Sequence, residues 1–554
     1  MRRIRGSITI FLSLILLSIL ALICVCLESA RAAGLQASAQ MCAVSSLQSV
    51  LAGYDRILWE QYGLFFFSDS DREGTRLVQI AKDYAEKNGN AEASGLDWFR
   101  LANPAVEAEH LTFATDSHGD IFRQAVSDYM KTAGAAESAE MLFEKLGLTD
   151  SAGELTETGE KWEASSKEEE LDVKNLLQEY DDLKEEQAEA EAQPPAEEQV
   201  RETAGMSREQ AEPVVQSVMN TIRSIGRFGL LGFVAEDAAS LSNDVLSREE
   251  LPSSLTASER EGDGNGRRDP GVLDYPLFYE YVVRNLDCYT SEQRKGCQVE
   301  YVITGKNTER KCVSSVAARL FAIRYLMDQT TALTEPKLQK EAETLAAAAL
   351  GWTGIVPMVE GLKMILLLAM AMGESALDVR TLFSGGRIPL KKDASSWRMS
   401  LLHLADTLGD LSEKSEEYED GLSYEDYMRI LLLLNNQEEI VYRTMDVIQQ
   451  EICRTEPDFR FASCIYSGEI RLTAEAQSIF PLIPAISEYS FTGTAGGGYQ
   501  PVVKWKSAPD GMDDGGEYNG EQEESKEQKE SRKQEEKGGD CRCLFCGDRI
   551  LISL

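Results

Sequence analysis

The sequence predicts a mainly α-helical protein with a small C-terminal β region, an α+β fold carried on one N-terminal transmembrane helix. Three observations predict it. Ser7–Leu27 is an unbroken run without charge and rich in apolar residues. Apolar residues then recur at three- and four-residue spacing in segment after segment as far as Cys453, the period of helices packed by one face. A period of two appears only beyond Phe459.

The first element begins with a basic leader over residues 1–6, with Arg2, Arg3 and Arg5 ahead of Gly6. About 20 apolar residues at 1.5 Å each span a hydrocarbon layer of roughly 30 Å, so 7–27 reads as a transmembrane helix. The charge on its N-terminal side keeps Met1 in the cytoplasm and exports the chain beyond Leu27. The expected location is therefore the cell membrane, single-pass, with most of the chain extracytoplasmic and the membrane itself as a partner. Ala30-Arg31-Ala32 offers the alternative, a secretory signal cut before Ala33. Ile23 is too bulky to precede a lipid-modified Cys24.

A stalk over 28–63 continues the helix. No charge occurs from Ala32 to Tyr54, small residues dominate, and Val44, Leu47, Leu51, Tyr54 and Leu58 follow coiled-coil spacing. One helix from Ser7 to about Tyr62, roughly 80 Å long, is expected. An uncharged face of this length needs cover. Ala37, Ala43, Val44, Leu47, Leu51, Tyr54 and Leu58 are therefore expected to pack on another helix, in a partner or in the protein's own body.

The body opens with a helical region, 64–148. Its DSDREG turn, Asp69–Gly74, imitates the start of a calcium loop, but Ile80 stands where a bidentate Glu is needed, so the turn is read as a helix cap. Val106–Phe113 reads as extended. Residues 149–213 form an acidic helical or mobile arm with Leu171, Leu176, Leu177, Tyr180 and Leu183 as its apolar stripe, broken at Pro194-Pro195. A helix plus a loop, the loop over Ser253–Pro270, occupies 214–270.

A helical core domain occupies 271–455, with helices at Val313–Met327, Glu341–Leu350, Val359–Leu377, Trp397–Leu411 and Tyr424–Cys453. Val359–Leu377 is the most apolar of these. Only Met364–Gly373 lacks charge within it, about half of what a bilayer requires, so it is read as a buried core helix. The β region, 456–506, is expected to hold a hairpin turning at Ser467-Gly468 between Phe459–Tyr466 and Glu469–Ala474. Further strands are expected at Tyr489–Phe491 and Val502–Trp505, either side of a flexible Gly493–Gly498 turn. Residues 507–554 read as a disordered acidic tail with a Cys cluster at Cys541, Cys543 and Cys546.

The search for chemistry yields little. With 56 basic and 93 acidic residues, net −37, the charge balance argues against nucleic acid or anionic lipid as a partner. His110, His118 and His403 form no ligand pattern, and no nucleophile or phosphate-loop motif occurs. The expectation is a non-enzymatic protein without cofactor, metal or small-molecule substrate. Of the eleven cysteines, Cys288 and Cys297 bracket a polar loop in the exported body and are the candidate disulfide.

The basic residues, the glycine, the hydroxyl-bearing apolar run and the small-residue helix resemble the N-terminus of type IV pilin-like proteins, in particular the minor pilin-like proteins of tight-adherence (Tad) pilus systems. Their pattern places Glu-Phe after the glycine and four further residues; this chain has Gly6, Ser7, Ile8, Thr9, Ile10, Phe11 and no Glu. The resemblance makes Gly6 and Ser7 the candidate prepilin-type processing site. The stretches YDRILWEQYGLFFF, FVAEDAASLSNDVLSREELPSSL, VEYVITGK, GESALDVRTLFSGGRIPLKK and YEDYMRILLLL are similar to an uncharacterised family of Gram-positive bacteria encoded beside Tad genes. The resemblance implies a pilin-like protein acting in pilus assembly or surface interaction, with other pilin-like or assembly proteins as partners. The alternative is a bitopic envelope scaffold or sensor outside any filament.

Overall fold

A computed structural model of the chain describes residues 5–89, 98–133, 175–190, 206–262, 274–410, 418–479 and 488–499, apart from single positions at 229, 236, 248, 293, 394 and 420. Two compact units make up the chain: Met1–Gly134 with Leu255–Pro270 and Glu451–Leu554, and Ala135–Ser254 with Gly271–Gln450. The strand Val502–Trp505, the tail and its cysteine cluster lie outside the described residues, as does most of the 149–213 arm.

In the first unit the chain runs through α1 (Arg5–Leu51), α2 (Arg56–Tyr62), β1 (Phe67–Ser68), α3 (Thr75–Gly89), β2 (Ala102–Phe113) and α4 (Asp120–Thr132). It is completed by β3 (Cys464–Gln477) and β4 (Glu488–Gly498). β3 is the central strand. β2 lies antiparallel along one side, with Val106 opposite Leu472, and β4 along the other, with Ala495 opposite Ile470. β1 extends the β4 side by pairing Phe67 with Ile465. Ile470, Leu472, Ala474 and Ala476 of β3 point to the buried face, while Glu469, Arg471, Glu475 and Gln477 face water, the alternation of a half-covered antiparallel sheet.

The C-terminal half of α1 lies on β4, β3 and α3. Leu35, Ala39, Cys42, Ala43, Ser46, Leu47, Val50 and Leu51 are its buried stripe, which recurs at three- and four-residue spacing. The expected single helix to Tyr62 is corrected, since α1 stops at Leu51. Tyr499 donates its hydroxyl to the Leu51 carbonyl at 2.8 Å. Asp55 then caps a new helix by accepting from the Leu58 amide at 3.0 Å. The DSDREG turn is a cap as well: Asp69 accepts from the Arg76 and Leu77 amides, and Asp71 from those of Glu73 and Thr75.

Two further expectations about the β region are corrected. Ser467-Gly468 is no turn, because β3 passes straight through it; a Cβ on Gly468 would come within 2.6 Å of Leu111. Gly493–Gly498 is no flexible turn but the body of β4. A Cβ on Gly493 would stand 2.3 Å from the Ala39 carbonyl oxygen, so glycine lets the strand lie directly on the backbone of α1.

The second unit is helical: α5 (175–190), α6 (Arg208–Phe228), α7 (Asp274–Asn285), α8 (Gln298–Thr304), α9 (Glu309–Thr334), α10 (Pro336–Leu350), α11 (Val356–Phe383), α12 (Leu404–Gly409), α13 (Tyr424–Leu433) and α14 (Gln437–Cys453). α11 packs on α9 and α10, and every residue from Ala369 to Phe383 is buried, the burial of a central core helix. α5 is better anchored than an acidic arm should be, with Leu176 and Tyr180 buried and Asp181 paired to Arg223 at 2.5 Å.

The predicted Trp397–Leu411 helix shrinks to α12. The Tyr424–Cys453 segment divides where Asn435 donates to the Leu431 carbonyl at 2.6 Å and accepts from Arg319 at 3.1 Å. Part of the expected Ser253–Pro270 loop is a short helix, Ala257–Glu261, held by a capping box between Thr256 and Glu259.

Candidate functional site

α1 is two helices in character. From Ile8 to Leu27 its large apolar side chains are exposed, none of them against the body. This is a long apolar helix with the dimensions of a membrane span or a signal sequence. At Glu28 the character changes within one turn. Arg31, 6% exposed, donates through Nε to the Trp98 carbonyl and through Nη1 to the Gln477 carbonyl, both at 2.8 Å, and pairs with Glu28 at 3.2 Å. Two turns on, Gln36 donates to the Thr492 carbonyl at 2.7 Å. Gln40 both donates to the Thr494 carbonyl at 2.5 Å and accepts from the Thr494 amide at 3.1 Å. A glutamine side chain thus bonds the backbone of β4 as a neighbouring strand would, closing an otherwise open sheet edge.

The residues expected to form an assembly face divide accordingly. Ala43, Leu47, Leu51 and Leu58 are buried inside the first unit, Val44 and Tyr54 are half-buried, and Ala37 is exposed. Of the two covers left open by the sequence, the protein's own body supplies one, mainly through strands rather than a helix. Gly6 and Ser7 lie in the first turns of α1. Tyr54 belongs to an aromatic cluster at the α1–α2 junction, where Trp59 stacks on Phe65 at 4.0 Å and Tyr54 meets Phe65 edge-on at 5.0 Å.

The second unit holds a group of ionisable side chains buried away from solvent. Arg324 and Asp328 of α9, Glu374 and Asp378 of α11, and Lys392 are all buried. Arg324 donates to Asp378 at 2.8 Å, to Asp328 at 3.0 Å, to the Pro389 and Leu390 carbonyls at 3.0 Å, and to the Tyr427 hydroxyl at 3.2 Å. Lys392 bonds both Glu374 and Asp378. Glu374 also accepts from the Met399 amide at 2.7 Å. The carboxylates hold the Arg324 guanidinium and the Lys392 ammonium in their charged forms against the cost of burial. The sequence carried a signal for this group: two pairs of charges four residues apart, Arg324 with Asp328 and Glu374 with Asp378, each set in a mostly apolar stretch of its helix.

In the same unit, a polar cleft of about 380 Å³ is lined by Asp237, Tyr289, Thr290, Arg294, Phe383 and Ser384. Arg294 lies over the Tyr289 ring at 4.6 Å and donates to the Tyr289 carbonyl at 3.0 Å. The expected Cys288–Cys297 bridge is corrected, since both are buried free thiols. The neck of their loop is closed instead by the Gln298 and Val299 amides donating to the Asp287 carbonyl. Cys288 Sγ rests against the hydroxyls of Thr290 and Ser291. Burial pushes both thiols up, for Cys297 with help from Glu300 and Glu309. His110, His118 and His403 are exposed and scattered, and among the described residues no group of three His, Cys, Asp or Glu side chains is arranged to hold a metal.

No curated protein and no solved structure matches the chain. Residues 208–476, from the start of α6 to the penultimate residue of β3, match one family model, described as a family of unknown function (DUF5702).

Proposed function

We propose that the chain is a non-enzymatic, membrane-anchored, extracytoplasmic protein that keeps α1 throughout its working life and acts in assembly or surface interaction of a Tad-type pilus. The observation that carries the anchor is Arg31. A signal cut before Ala33 would remove a side chain that bonds Trp98, Gln477 and Glu28 inside the folded unit. Such buried charge-assisted contacts belong to a segment that stays with the body. Processing after Gly6 would leave Arg31 and the whole exposed helix in place, so it is compatible with the pilin-like reading.

A second reading, an envelope scaffold that enters no filament, is favoured by a different observation. Ala43, Leu47 and Leu51 are covered by the protein's own strands, which leaves the exposed face around Ala37 and Met41 and the span 8–27 for partners. The test is the N-terminal sequence of the full-length protein recovered from membranes, together with its presence in sheared filaments. A chain starting at Met1 or Ser7 supports the retained anchor, and one starting at Ala33 overturns it. Recovery in the membrane but never with filaments selects the scaffold.

A further inference from the structure

We propose that Asp328 is a buried proton-binding site, which keeps its proton through mildly acidic pH and donates it to Ser375. The geometry at Ser375 leads there. Its Oγ lies 2.7 Å from the Ala371 carbonyl oxygen and 2.8 Å from Asp328 Oδ2. A hydroxyl has one proton to donate. Given to the carbonyl, which has none of its own, it leaves the contact with Asp328 unbonded unless the carboxyl supplies the proton. A neutral Asp328 satisfies both contacts in one chain, from carboxyl OH to Ser375 Oγ and from Ser375 to the carbonyl.

The surrounding charges agree. Facing Asp328 are Arg324 from its own helix, Glu374 and Asp378 from α11, Lys392 from the segment after α11, and beyond Arg324 the Tyr427 hydroxyl of α13. If all three carboxyls were ionised, they would outnumber the two cations in a site closed to bulk solvent. Glu374 and Asp378 accept on both oxygens from cations or amides, and although burial also pushes the Glu374 carboxyl up, Lys392 and the Met399 amide favour its ionised form. Asp328 Oδ1 accepts from Arg324, and only Oδ2 is left to carry a proton. Burial, with Asp378 and Glu374 adding to it, pushes the Asp328 carboxyl up to about 7 against the pull of Arg324 and Lys392.

The folded unit then holds a proton that the unfolded chain releases above about pH 4. The contribution of this one proton to stability is fully present below that value, falls about tenfold in the folding equilibrium for each pH unit up to about 7, and is lost above. The test compares the full chain in detergent with D328N, in which the amide can accept from Arg324 and donate to Ser375. Hydrogen exchange of α9 and α11 peptides is corrected for intrinsic rates and read between about pH 5 and pH 8. D328N is expected to fold and to lose one proton's worth of slope relative to the parent. Glu300, whose carboxyl burial also pushes up, contributes equally to both chains and cancels in the difference.

An unchanged slope overturns the proposal, as does a loss of protection of about a hundredfold in D328N at pH 5, because a needed charge would then have been removed. If D328N does not fold, the parent itself decides. With isotope-labelled aspartate, the infrared band of a protonated aspartic acid should be present near pH 6 and vanish above pH 8, and its absence at pH 6 overturns the proposal.

Discussion

Arg31 Nη1 and the Gln477 carbonyl oxygen are 2.8 Å apart although 446 residues separate them in the chain. The contact fixes where the exposed helix ends and the folded unit begins. It also makes Arg31 a structural residue of the sheet as much as of the helix, since Gln477 ends β3.

Replacing Arg31 with Met should destabilise the first unit by about 3–5 kcal/mol, because it leaves Glu28 as an unpaired buried charge. Limited proteolysis near Trp98 and β3 would report the loss. A second change, Glu28→Gln, should recover part of it, and a double-mutant cycle without coupling would show that the pair contributes little.

Gly493→Val should cost about 1–3 kcal/mol, since the strand must lift away from the Ala39 carbonyl. Gly232→Ala is the matched control. Nothing lies within 4 Å of its added carbon, and the loss of backbone freedom in the unfolded chain should stabilise by up to about 1 kcal/mol. Denaturant midpoints of the two variants should therefore move in opposite directions.

Lys392→Met should be among the most damaging single changes in the second unit, at about 3–5 kcal/mol, because Glu374 and Asp378 both lose their shared cation. Adding Glu374→Gln should restore a measurable fraction. Chemical denaturation of parent, single and double variants checks both statements.

Cys288, Cys297 and Cys312 should resist alkylation at pH 8 in the native chain and react after unfolding, without any reductant. Burial pushes all three thiols up and hides them. A peptide map under non-reducing conditions that joins Cys288 to Cys297 would show instead that the loop is bridged.

Much of the helical architecture could be read from periodicity. α9, α10, α11 and α14 follow runs of apolar residues at helical spacing, and the charges Glu360, Lys363 and Glu374 placed α11 in a core rather than a bilayer. The sheet could not be read in the same way. Val106 pairs with Leu472 across most of the chain, and no local pattern encodes a register between segments so far apart. The Gly493–Gly498 half of β4 was hidden for another reason: glycines have no side chain to alternate, so a strand shaped to lie against a helix reads as a turn beyond the expected Tyr489–Phe491. The buried charges fell between these cases, visible as spacing but meaningless until α9 and α11 came together.

The placement of β3 has a consequence for how the protein is made. β2 leaves the ribosome about 350 residues before its partner strand, an interval on the order of tens of seconds at ordinary elongation rates. During that interval the face of α1 that will meet β4 has nothing to lie on, and β2 is an unpaired edge. The second unit's residues emerge in between and can pack around α9 and α11 while the first unit is still incomplete. Synthesis therefore imposes an order in which the helical insertion matures first and the sheet of the first unit closes last. Any factor that shields nascent strands would act on β2 and the Ala39 face of α1, and slowing the ribosome within 271–450 should lengthen their exposure.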